Sequence, residues 1–133
     1  MNREGSDLWD RAVEALRASR AVMEVSTDAA ASRAYYAAFY AVSALFAAEG
    51  VTFRRHSALA AAVHRDLVQS GRWSAELGAS YMKLFELKQT GDYGGGMRVS
   101  ANDAREGLEV AKAILAAVSR EQPVQFGLPD DAT

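Results

Sequence analysis

The 133-residue chain has no cysteine, which excludes disulfides, thiolate zinc sites and cysteine nucleophiles together. It has two prolines, while roughly a fifth of its residues are alanine, a balance that favours packed helices over sheets. Charge of one sign is lacking as well. Lys+Arg 15 against Asp+Glu 17 gives a formal charge of -2, so no global field draws the chain onto nucleic acid, and any basic patch must be local. No apolar run approaches the roughly 20 residues of a membrane span. The opening Met1-Asn2-Arg3-Glu4-Gly5 does not read as a secretory leader. The expectation is a cytoplasmic protein with no membrane segment.

Other absences narrow the chemistry. The two histidines, His56 and His64, are eight residues apart. At 1.5 Å per helical residue that is about 12 Å, too far for both to hold one ion. No paired Glu-x-x-His motif is present, so no metal site and no cofactor is expected. Gly94-Gly95-Gly96 lacks the Lys-Ser/Thr of a phosphate loop and has no strand before it, and it reads as a helix connector. A Gly-x-Ser-x-Gly elbow is missing too, which leaves a hydrolase triad without support.

Half of the residues are hydrophobic, enough for one core in a chain of single-domain length. Their spacing predicts five amphipathic helices, near 6–25, 28–49, 56–70, 74–90 and 100–120, with no strand-like alternation and no internal repeat. In the first, Trp9, Val13, Leu16 and Met23 recur on one face, with Asp7 as a candidate cap. Ser26-Thr27-Asp28 reads as a stop and a new cap. Gly50 and Gly71 are natural stops for the second and third helices. The fourth should fail by Gly91, because the glycines that follow leave its backbone little reason to stay ordered. The fold class is therefore an all-α antiparallel up-and-down bundle. Residues 1–120 form the single domain and 121–133, with two prolines and paired acids, a mobile tail.

The informative stretch is Ser32-Arg33-Ala34-Tyr35-Tyr36-Ala37-Ala38-Phe39-Tyr40-Ala41-Val42 in the second helix. Tyr35, Phe39, Val42 and Phe46 make an apolar face. Arg33, Tyr36 and Tyr40 share an adjacent polar-aromatic face, and a buried tyrosine needs a partner for its hydroxyl. The alanines between them permit close approach by neighbouring helices. Further along, Arg54, Arg55 and His56 open the third helix, either as a half-exposed helix start or as a phosphate-contacting trio. His64, in mid-helix, reads as structural.

The Ser-Arg-Ala-Tyr-Tyr-Ala-Ala-Phe-Tyr-Ala run, the histidine about 15 residues later and Asp92-Tyr93 after the fourth helix together resemble the HEPN superfamily (higher eukaryotes and prokaryotes nucleotide-binding), in its small stand-alone bacterial and archaeal branch. The likeness spans about residues 6 to 118. It implies a four- or five-helix bundle, commonly a homodimer, often encoded beside a minimal nucleotidyltransferase as a toxin–antitoxin pair. Many such proteins are metal-independent RNases that use an arginine and, four to six residues later, a histidine. Here the corresponding segment is Lys88-Gln89-Thr90-Gly91-Asp92-Tyr93, with lysine for arginine and tyrosine for histidine. Lysine lacks the two-pronged geometry of a guanidinium, and a tyrosine of pKa near 10 is a poor base at neutral pH.

The resemblance thus implies a nucleotide- or RNA-binding component that partners a nucleotidyltransferase. The alternatives are an RNase toxin using Lys88, Asp92 and Tyr93, or a helical scaffold without ligand. Arg33, Tyr36 and Tyr40 are expected to face Lys88, Asp92 and Tyr93. Asp92 would pair with Arg33 or Lys88, and the cluster would serve either as a binding site or as a clamp between two helices.

Overall fold

The computed structural model describes residues 3–132; Met1, Asn2 and Thr133, at the ends of the expected domain and tail, lie outside the described residues. Five α-helices follow one another: α1 Arg3–Val22, α2 Thr27–Ala48, α3 His56–Ala62, α4 Ala75–Tyr93 and α5 Ala101–Glu121. A π-helical segment, Val63–Val68, extends α3, and a 3-10 turn closes the chain at Asp130–Ala132. No strand occurs among the described residues. The protein is an all-α bundle.

Serine side chains set three of the starts. Ser26, Ser74 and Ser100 sit in extended conformation and accept the backbone N–H of Ala29, Leu77 and Asp103 at 3.1, 3.0 and 3.0 Å. With Ser26 as the cap of α2, Asp28 is released for a longer reach. Its carboxylate accepts the Val99 N–H at 2.8 Å and pairs with Arg98 at 3.0 Å, fastening the entry to α5 against the start of α2. Gly50 and Gly71 take positive φ, as chain stops should.

α2 is the axis of the fold, packed against α1, α4 and α5. Ala30, Ala34, Ala37, Ala38, Ala41 and Ala44 are fully buried, and their small side chains let the neighbouring backbones come close. From α1, Trp9, Val13 and Leu16 enter the core; from α5, Ala111, Leu115 and Val118 do so. Met23 lies past the end of α1, against a second cluster of Ala31, Leu87, Val99 and Ala104.

Besides the end of α1 at Val22, short of the expected 25, three features differ from the spacing-based expectation. α1 begins at Arg3, ahead of Asp7, because the buried Gly5 packs beside Phe126 and the Ala44 carbonyl, where an added Cβ would stand 3.3–3.4 Å from them. The third helix is not uniform: Val63–Val68 widens into a π turn, with Val63 and Leu67 both buried. α4 runs through Gly91 to Tyr93 and stops at Gly94. Gly91 is a contact residue, since a Cβ there would lie 2.7 Å from the Asp28 carbonyl oxygen. Its bare Cα lets the end of α4 meet the start of α2.

The segment expected to be a mobile tail also differs. It folds back over α1, where Phe126 is fully buried and stacks on Trp9 at 5.3 Å. Trp9 Nε1 donates to the Gly127 carbonyl at 2.9 Å, and Asp131 takes both prongs of Arg17 at 2.7 and 2.9 Å. Prolines and paired acids read as loop composition, but one aromatic residue with a buried slot outweighs them.

Candidate functional site

The start of α2 and the end of α4 run antiparallel and meet at Gly91, which places their side chains opposite one another. Arg33 lies over the Tyr36 ring at 4.8 Å, and the Lys88 ammonium lies 5.7 Å from the same ring and 5.1 Å from that of Tyr93. Tyr40 continues the row, its ring 5.9 Å from Tyr36. Of the expected juxtaposition, Tyr36 meets Lys88 across the two helices and Lys88 meets Tyr93, while Arg33 and Tyr40 join the row through the Tyr36 ring on their own helix.

The ion pair settles on one of its two expected partners. Asp92 meets Lys88 at 3.3 Å, one turn apart on α4, and no pair joins Asp92 to Arg33 among the described residues. Being intrahelical, this pair does not clamp α4 to α2. At this end of the two helices the Tyr36 ring and the Gly91 contact join them, alongside the packing of Ala31 with Leu87. Lys88 is only 7 % exposed. Burial works to discharge its ammonium, but the Asp92 carboxylate and the phenols of Tyr36 and Tyr93 outweigh it and hold the lysine pKa above its ordinary value. Tyr93, by contrast, is 74 % exposed.

His56 belongs to this cluster by its ring. It stacks on Phe39 at 4.4 Å and on Tyr35 at 5.6 Å, and stands edge-on to Tyr36 at 5.8 Å. Its Nδ1 is 2.6 Å from the Tyr35 hydroxyl. Burial, and then the Lys88 charge, push the imidazole pKa down, so the neutral ring is favoured at pH 7. Burial pushes Tyr35 up to about 12. A phenol that stays protonated beside a neutral imidazole donates to it, and Nδ1 accepts.

Arg54 and Arg55, by contrast, are exposed, and among the described residues their side chains make no hydrogen bond or ion pair; the Arg55 carbonyl only accepts the Leu59 N–H at 3.1 Å as the third helix begins. The expected trio is thus divided: two free guanidiniums outside, one pinned imidazole inside. Tyr35 and Phe39 supply the surroundings of His56, a role that spacing did not indicate. Tyr35 and His56 are 21 positions apart, and only the packing of α3 on α2 brings them together. Tyr81 and Phe85 of α4 complete the aromatic wall, 6.1 and 5.6 Å from Tyr35. His64 is exposed on the π segment. Among the described residues, no group of three His, Asp or Glu side chains is placed to hold a metal ion, and no helix is long and apolar enough to cross a membrane.

An all-α bundle with a tyrosine-rich central helix facing a cationic helix end defines the class of protein. The chain belongs to the HEPN family, whose domain model matches residues 6–122. It is 38% identical over 91 residues to a UPF0332 protein of Thermotoga maritima, covering 68% of this chain and 69% of that one. To a UPF0332 protein of Gloeobacter violaceus it is 34% identical over 96 residues, covering 71% and 76%. The crystal structure of TT1696 from Thermus thermophilus superposes with a TM-score of 0.76 at 24% identity, over 91% of this chain and 99% of that one. That last likeness is one of fold.

Proposed function

We propose that this HEPN protein is a cytoplasmic module that binds nucleotide or RNA phosphate through the α2–α4 cluster, as a component of a toxin–antitoxin-like pair with a minimal nucleotidyltransferase. The observation that carries the reading is the Arg33–Tyr36–Lys88–Tyr93 array. Two cations on aromatic faces, with Arg54 and Arg55 unpaired just ahead of His56, combine charge for phosphate with π surface for bases. A protein of net charge -2 has to concentrate such binding locally. A C2 pair would bring two copies of the array together, and sedimentation at micromolar concentration tests for it.

The experiment is a titration with a short single-stranded RNA at two salt concentrations. Binding that weakens as salt rises, and by about tenfold or more in Arg33→Ala, supports the reading. Absence of RNA and nucleotide binding at low salt overturns it in favour of a scaffold without ligand. Co-purification from the native host tests the nucleotidyltransferase partner.

One feature favours RNA cleavage as a second reading: the His56 imidazole, whose pKa burial lowers, and the Lys88 cation both meet the Tyr36 ring, at 5.8 and 5.7 Å. In such a reaction a base takes the ribose 2′-OH proton, the 2′-oxygen attacks the adjacent phosphorus and the 5′-oxygen leaves with a proton from an acid. Metal-independent cleavage that yields a cyclic 2′,3′-phosphate, and is lost in Lys88→Ala, would select this reading.

A further inference from the structure

Between α3 and α4 the packing leaves a cavity of about 230 Å³, walled by Tyr35, His56, Ala60, Tyr81 and Phe85, with Met82 at its lip. Four of the lining side chains are aromatic rings, and Ser57, Ala60 and Met82 complete the lining. The Phe85 ring meets the Tyr35 ring at 66° and 5.6 Å, and the Tyr81 ring, one turn earlier on α4, lies 6.1 Å from Tyr35 at 48°. The volume is below the roughly 300 Å³ at which sites for drug-sized ligands begin, so it suits a single flat ring system.

The cavity adjoins the cationic array. The His56 ring is a wall of the one and stands against Tyr36 of the other. Along α4, Tyr81, Phe85 and Lys88 follow at four and three residues and so share a face. Phe85 and Lys88 are separated by about 4.5 Å of helix axis. An apolar slot for a flat ring therefore lies next to positive charge, and the exposed Arg54 and Arg55 immediately precede the wall residue His56. A ligand that matches both halves carries a planar, weakly polar ring at one end and an anion at the other.

We infer that the α3–α4 cavity is a base subsite, which takes the nucleobase of a nucleotide whose phosphate meets the cations beside His56. The inference rests on the phosphate-binding reading above and adds what that reading leaves open, namely where a base goes. Stacking on aromatic walls tolerates any base, since each has a π face. The subsite therefore contributes affinity for nucleotides over sugar phosphates and little choice among bases.

The test compares adenosine 5′-monophosphate, ribose 5-phosphate and adenosine by calorimetry on the whole chain, with two variants. Ala60→Leu fills the cavity from α3, and Phe85→Leu keeps the bulk of one wall but removes its π face. The expected result is that the nucleotide binds about tenfold more tightly than ribose 5-phosphate. That advantage should fall to near unity in Ala60→Leu and shrink in Phe85→Leu, with ribose 5-phosphate bound as before in both. Equal binding of nucleotide and sugar phosphate by the unaltered protein overturns the subsite and leaves the phosphate reading standing. So does an advantage that survives in both variants. Failure of ribose 5-phosphate to bind counts against the phosphate reading instead. Adenosine then decides the cavity: binding lost in Ala60→Leu sustains the subsite, and no adenosine binding overturns it. If Ala60→Leu melts far below the parent, Phe85→Leu carries the same comparison.

Discussion

The two sides of α2 are built differently. Toward α1 and the C-terminal segment, buried groups are apolar or satisfied: Trp9 stacks on Phe126, its indole N–H has a carbonyl, and the Ser19 hydroxyl donates to the Ala30 carbonyl at 2.8 Å. Toward α3 and the end of α4, the same helix faces a buried lysine, a pinned histidine, a Tyr81 hydroxyl outside hydrogen-bond geometry to any described group and a cavity. The first side gains stability from packing density. The second tolerates features that cost stability, and such features concentrate where a protein does something other than fold. The contrast separates what holds this bundle together from what it offers to a ligand.

The strongest way to break the comparison is through the packed side. Phe126→Ala should destabilise the protein by about 3–5 kcal/mol, as for a buried aromatic truncated to a cavity, while the folded fraction keeps its RNA affinity. Denaturant unfolding followed by binding at low denaturant checks both. A loss of under about 1 kcal/mol would mean that the C-terminal segment is not part of the core.

Gly91→Ala comes next. Its Cβ would press on the Asp28 carbonyl, and forcing the helices apart should cost about 1–3 kcal/mol, outweighing the helix propensity gained. The same displacement should also weaken nucleotide binding, because it moves Lys88 relative to Tyr36. Thermal melts and a nucleotide titration of the variant read the two effects separately.

Lys88→Met tests the other side. Replacing a buried ammonium with an apolar side chain of similar length should leave the melting temperature within a few degrees of the parent. RNA binding should fall about tenfold. A large drop in melting temperature with unchanged binding would make the cluster a clamp.

The smallest effect concerns pH. The folded state lowers the His56 pKa, so the unfolded chain binds a proton more readily. This contribution to stability is present above the unfolded value near 6.5 and is lost as pH falls from there through the lower folded pKa. Tyr35→Phe removes the hydrogen bond to Nδ1 and should lower stability by about 1 kcal/mol. Nuclear magnetic resonance titration of the His56 ring reads the shift directly, and His56→Asn should flatten that part of the stability profile.

How much of this is legible in the chain depends on the range of the interaction. Helix existence, the apolar stripes of α1 and α5, and the shared face of Arg33, Tyr36 and Tyr40 follow from periodicities of a few residues, and the tyrosine-rich motif leads to the family. The Lys88–Asp92 pair spans one helical turn and is visible as one of two options. Phe126 is lost among loop-forming neighbours, because composition does not reveal that one aromatic side chain has a slot waiting for it. In sequence His56 groups with Arg54 and Arg55, whereas its ring answers to Tyr35 and Phe39.

The sequence by itself therefore determined an all-α bundle and the membership of its signature residues, since hydrophobic period acts within a turn or two of the backbone. Only the tertiary structure decided that Gly91 is a contact and not a stop, that the C-terminal segment belongs to the core, and that His56 joins the α2–α4 cluster beside an aromatic cavity. Each of those depends on which backbone or ring arrives from a distant part of the chain, and steric fit between such surfaces is set by the packed whole.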